Sequence, residues 1–349
     1  MNINVTGERP GVYSSYSASL VTSRRSGGKT VGVVASGAGD LAPRRVSSLS
    51  EAAQSFGGDA IVMELLSLVF QNGAPSAIVV LAGENPTEQE ITAAAGKLET
   101  EDCGVVICTE NSLAAMKIMR DMAESAANSR RERVYITAAD GTAAELCALA
   151  SELQSERTVV FGPLPKTSEN TVLSAAALAA ALAGQIAALS DPAIPLGGGT
   201  LSGIAAKTLT LADSVVDTLV RGGVSPVETV SGRVTVVRAV TTRTRSGESE
   251  DFTWRELSTV MIADDVLSTL RSALRAKFLR AKNLSTTREA VKTQVMVELE
   301  AKKNSEIIAD YGEISVNQNE TEPSRCDVSF RFAVASGLNQ IVIGAQIVI

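Results

Sequence analysis

The stretch VSFRFAVASGLNQIVIGAQIVI, residues 328–349, decides how the rest of the chain is read. Its first half alternates: Val328, Phe330, Phe332 and Val334 are apolar, with Ser329, Arg331, Ala333 and Ala335 between them. Period two is the pattern of a half-buried strand. After residues 336–340 comes a second run, 341–349, apolar on both faces. A strand of that kind is ordinarily covered on both sides, and at an open edge it invites pairing with another chain. At the end of this sequence it is expected to be captured, by its own fold or by a neighbour's. That points to assembly rather than catalysis.

Working outward, 349 residues leave room for two domains and a substantial core. Apolar residues make up 45% and charged residues 20%, the balance of a folded protein. The net charge of −7 argues against bulk nucleic-acid binding. Histidine is absent, which removes Ser-His-Asp and Cys-His catalysis, every His-ligated metal site and any histidine pH switch. The expectation is a non-enzyme with no cofactor and no metal. Cys103, Cys108, Cys147 and Cys326 show no CxxC spacing and read as reduced, mostly buried residues, consistent with a cytoplasmic site of folding. The N-terminus has neither the basic nor the apolar region of a signal peptide. The alanine-rich stretch 172–189, interrupted by Gln185, reads as a buried globular helix, so no membrane insertion is expected.

Four segments are expected. Residues 1–22 form an extended N-terminal arm. Residues 23–190 form an α/β domain with a mostly parallel sheet: short apolar runs at 31–35, 77–81, 105–108, 134–137 and 158–161 alternate with helical stretches at 50–56, 60–71, 88–98, 112–127 and 143–154. Thr87 and Thr142 are the expected helix caps. Two prolines and three glycines in 191–199 mark the boundary. Residues 191–335 form an α+β C-terminal domain, with a short helix at 211–221, a hairpin turning at Ser231-Gly232, long helices at about 255–281 and 286–303, and the first terminal strand. Residues 336–349 form a C-terminal strand arm.

Several motifs are weak. Ser26-Gly27-Gly28-Lys29-Thr30 resembles the end of a phosphate-binding loop, but Ser23 stands where that loop needs glycine, and a strand follows where it needs a helix. Gly37-Ala38-Gly39-Asp40 is followed at once by Pro43, Arg44 and Arg45, which suits a polar connection better than a dinucleotide loop. Adjacent Asp264 and Asp265 point about 100° apart on a helix, not into a shared cleft, and read as a solvated face. Residues 247–251, with Glu248, Glu250 and Asp251, read as an exposed loop. Residues 271–282 carry five cations and no acid. Arg271, Arg275 and Lys282 fall within about 40° of one another on a helix, beside a stripe of Leu267, Leu270, Leu274 and Phe278. This is either an ordinary amphipathic helix with a wet basic edge or a docking surface for an acidic partner.

Taken together, the parts resemble the contractile tail sheath proteins of phages and phage-like injection systems. Arg9-Pro10-Gly11-Val12-Tyr13 is similar to that family's opening arm. Residues 236–242, then Trp254-Arg255-Glu256-Leu257 and Ile262-Ala263-Asp264-Asp265, resemble its C-terminal domain, and the closing strands its C-terminal arm. The resemblance implies a structural subunit of a helical homopolymer of stacked hexameric rings around an inner tube protein. Strand addition would knit it together through Val12, Tyr13 and Tyr16 of one arm and Ile341, Ile343, Ile347 and Ile349 of the other. It implies a metastable sheath whose contraction drives the tube through a cell envelope. Baseplate and tail terminator proteins would be partners, and Arg271, Arg275 and Lys282 would dock on the tube. Assembly would take place in the bacterial host cytoplasm, and the product would be a virion tail or a released phage-tail-like particle. The competing readings are a cofactor- or nucleotide-binding α/β enzyme with its ligand near Gly37–Asp40 or Gly83–Pro86, and another tail or baseplate assembly protein.

Overall fold

The computed structural model describes residues 28–167, 169–247, 249–339, 341, 343, 344 and 346. Val12, Tyr13, Tyr16, Ile347 and Ile349 lie outside the described residues. The chain begins with β1 (Val31–Ala35), β2 (Arg44–Val46), α1 (Leu49–Phe56), α2 (Ala60–Gln71), β3 (Ala77–Leu81), α3 (Glu88–Glu99) and β4 (Val105–Cys108). It continues through α4 (Leu113–Asn128), β5 (Val134–Ala138), α5 (Ala143–Leu153), β6 (Thr158–Gly162) and α6 (Ala175–Ala188). Next come β7 (Thr200–Ala205), α7 (Asp213–Arg221), β8 (Val224–Val230), β9 (Arg233–Val236) and the short β10 (Arg245–Ser246) and β11 (Ser249–Glu250). Last are α8 (Leu257–Phe278), α9 (Ser285–Asn304), β12 (Ile308–Gln318) and β13 (Cys326–Val334).

The apolar runs become strands because helices cover both their faces: every residue of β1, β3, β4, β5 and β6 is buried. Thr87 and Thr142 each close a capping box, with Glu90 and Glu145, at the starts of α3 and α5. One face of the sheet packs on α1, α2 and α6, and the other on α3, α4, α5 and α7. Helix α6 is alanine-rich because it lies close against α2: a Cβ on Gly184 would stand 2.4 Å from the Val69 carbonyl oxygen.

The strand order is β2-β3-β1-β4-β5-β6-β8-β9-β7. Strand β8 pairs parallel with β6, Val160 opposite Val224. The hairpin β8–β9 turns at Ser231 and Gly232, both at positive φ, the geometry that matches strand twist. This corrects the expected domain division, because the hairpin extends the body's own sheet instead of joining the long helices. Residues 191–199 lead into β7, which pairs with β9. The reason is burial: without β8 the edge of β6, with Val160 and Phe161, would be open.

A second, smaller core lies beyond, formed by Ile262, Val266 and Leu270 of α8, Val295 and Leu299 of α9, and Ile307 and Ile308. Helix α8 serves both cores, since its Leu257, Val260 and Met261 belong to the body. Residues 308–318, not expected as a strand, pair antiparallel with β13. Their alternation is broken by Gly312 and by Glu313 at φ 51°, where the register shifts.

Candidate assembly surface

The hairpin β12–β13 forms a two-stranded sheet of its own, separate from the body's nine strands. Both of its outer edges lack a strand partner among the described residues. A two-stranded ribbon is marginal by itself, so α8 and α9 must support it. Val328, Phe330, Phe332 and Val334 face these helices, as their alternation predicts, yet they stay only half-buried. Phe330 and Phe332 stack with ring centroids 6.1 Å apart. Two helices therefore leave part of this apolar face uncovered. The far end is tied down by Asn283, whose side-chain amide donates to the carbonyls of Pro323 (2.8 Å) and Arg325 (3.0 Å).

The pairing ends where the Ala335 amide donates to the Ile307 carbonyl. The chain then crosses back to the body: Gly337 lies against Pro195, and Asn339 lines a small pocket with Ile194 and Leu196. Ile341 and Ile343 are 74% and 87% exposed and belong to no strand. Isoleucine at that exposure costs solvation that burial would recover.

The structure divides the expected basic helix. Helix α8 ends at Phe278, so Lys282 lies in the connection to α9 and does not share a helical face with Arg271. Arg271 turns inward to Glu132 at 2.5 Å, while Arg275, Arg280 and Lys282 are exposed beside exposed Leu279 and Leu284. Leu267, expected in the apolar stripe, is also exposed, whereas Leu270 is buried. The result is a basic corner with an apolar centre at the end of the helical pair.

Asp264 and Asp265 are not a solvated face. Asp264 is 6% exposed and takes the guanidinium of Arg157 on both oxygens, at 2.5 and 2.8 Å. Burial pushes its carboxyl above the usual range, against the pull of Arg157. Asp265 pairs with Lys302 of α9 at 2.5 Å. Lys29 lies nearby, its ammonium disfavoured by burial and favoured by both carboxylates. Reading the sequence missed this network because its partners lie on other elements, Arg157 at 107 residues from Asp264 and Lys302 at 37 from Asp265. A pair of acids inside the otherwise apolar run 260–267 was the available signal.

At the carboxyl ends of β1 and β4, where α/β folds commonly bind ligands, the polar groups serve one another. The Ser36 amide and hydroxyl meet Thr109 Oγ1 at 2.8 and 2.7 Å, and the same hydroxyl donates to Glu110 at 2.7 Å. Among the described residues no group of acids and cysteines has the spacing of a metal site.

Residues 249–347 match the phage tail sheath C-terminal domain family. This part of the chain is thus similar to the C-terminal domain of phage tail sheath proteins. The match spans α8, α9, β12 and β13, the elements of the candidate surface. The tail sheath protein of Bacillus phage SP01 is 26% identical over 251 residues, 70% of this chain and 43% of that protein. The chain thus spans less than half the length of that curated sheath relative. Among solved structures, the contracted helical sheath of the anti-feeding prophage is similar in fold, with a TM-score of 0.70 at 14% identity, covering 98% of this chain and 99% of that one. A sheath tail protein from Listeria innocua gives 0.70 at 11% identity, over 88% and 95%. One from Desulfitobacterium hafniense gives 0.68 at 8%, over 93% and 100%.

Proposed function

We propose that the protein is the subunit of a contractile tail sheath, in a virion tail or a phage-tail-like particle, assembled in the host cytoplasm. It polymerises as stacked hexameric rings by adding its arm strands to the β12–β13 hairpins of neighbouring copies. The observation that carries this reading is the hairpin, with two edges that lack a strand partner among the described residues and a half-covered apolar face, in one chain with exposed Ile341 and Ile343. Strand addition supplies backbone hydrogen bonds at an edge and apolar contacts over alternate residues. Ile341, Ile343, Ile347 and Ile349 from one arm, and Val12, Tyr13 and Tyr16 from the other, are the residues assigned to it. Bodies joined this way rotate against one another without losing their strands, so a lattice can pass between two packings.

The basic corner is assigned to the inner tube, with Arg275 and Lys282 as docking residues; baseplate and terminator proteins would meet the ends of the sheath. Arg271, engaged with Glu132, contributes by holding α8. Electron microscopy of the purified full chain tests the reading: striated tubes or stacked rings are expected, and a chain that stays monomeric at high concentration would overturn it. For the corner, Arg275→Glu with Lys282→Glu should leave self-assembly intact while abolishing sheath on purified tubes. Normal tube-bound sheath would remove the assignment.

A further inference from the structure

We propose that Asp264 and Asp265 form the joint that fixes the angle between the α/β body and the hairpin-bearing unit, and so decides where the β12–β13 edges are presented. The inference rests on the sheath reading. Helix α8 leaves the body at this point, Met261 belonging to the body core and Ile262 to the second core. Its apolar contacts are therefore split between the two units. Beside the crossing is a cleft of about 530 Å³, lined by Lys29, Glu132, Asp264, Asp265 and Arg271 among others. Facing surfaces separated by a cleft forfeit the close contacts that would set an angle by packing. Directional polar pairs are left to set it.

Adjacent helical side chains diverge by about 100°, and here each carboxylate reaches a different unit. Asp264 grips Arg157, immediately before β6 of the body, through a two-pronged pair whose planar fork fixes orientation as well as distance. Asp265 holds Lys302 near the end of α9. Lys29, two residues before β1, adds a second cation from the body; its stem lies over Gly104, where a Cβ would come within 2.6 Å of Lys29 Cδ. Arg271, two turns further along α8, adds its pair with Glu132. The two aspartates thus tie α8 to the body on one side and to α9 on the other.

The test is amide hydrogen exchange on the full chain, with electron microscopy of the same samples. Asp265→Asn and Lys302→Gln break the more accessible pair and leave the body untouched. Exchange across α9, β12 and β13 should rise by roughly tenfold while β1, β3, β4 and β6 keep their protection. Asp264→Asn should act in the same direction, and the charge-exchanged double variant Arg157→Asp with Asp264→Arg should recover part of the loss. Assemblies of the loosened variants should be irregular or absent. Unchanged exchange in α9–β13 would overturn the proposal, as would an equal rise throughout the body sheet. If the buried exchange variant does not fold, the Asp265 and Lys302 variants decide alone. If the wild-type chain forms no tubes, the sheath reading fails, while the exchange data still decide the joint.

Discussion

At the scale of single residues, burial assigns roles that residue type alone leaves open. Cys103 precedes β4 and Cys108 ends it, both in the core, and loss of solvation pushes their thiols up to about 11 and about 12. Cys147 and Cys326 are only half-buried. A thiol reagent at pH 8 should therefore label Cys147 and Cys326 in the native chain, and Cys103 and Cys108 only on unfolding. Four fast thiols in the native state would contradict the core placement. The same shifts have a stability consequence. Both thiols titrate higher folded than unfolded, so the stability they contribute is complete below the unperturbed value of 9.0 and is lost as pH rises toward 11 for Cys103 and 12 for Cys108. Urea midpoints should fall across that alkaline range, and Cys103→Ser with Cys108→Ser should flatten the slope. At Gly184, a single methyl would press on the Val69 carbonyl. Gly184→Ala should cost about 1–3 kcal/mol by denaturant unfolding; a stabilised variant would show that α2 and α6 have room to separate.

Among elements, those with strong local signals form as their sequences suggest. Asp59 caps α2 by accepting from the Val62 amide at 3.0 Å, and Asp59→Ala should cost about 1 kcal/mol in a thermal or denaturant melt. The parallel strands are legible because they are short, apolar and bounded by helices. Strand β12 is not, since only Ile308 of its eleven residues is buried and Glu313 interrupts its period. The C-terminal limit of α8 was also out of reach: residues 279–282 continue a helical composition, but the chain must turn there to bring α9 back along α8. That turn separates Lys282 from the face of Arg271 and makes a corner where the sequence suggests a stripe.

At the scale of the whole molecule, the proposal requires residues 341–349 to pair outside their own subunit. Deleting residues 341–349 should leave a folded chain with an unchanged melting midpoint, because described residues of this segment are exposed and outside every strand. Self-assembly of the same chain should be lost. A large fall in midpoint on deletion would instead place the segment in its own subunit's core, and calorimetry beside electron microscopy separates the outcomes.

Periodicity, caps and glycine-proline breaks are local, so the sequence by itself determined the alternating strands and helices, the buried alanine helix and the half-buried face of β13. The absence of histidine likewise excluded whole classes of chemistry before any fold was known. Tertiary structure alone decided that the 227–236 hairpin extends the body's sheet, that Arg271 faces Glu132, and that Asp264 and Asp265 pair with Arg157 and Lys302 instead of facing water. Each depends on a partner far along the chain. Long-range pairing leaves no periodic trace in the residues that take part.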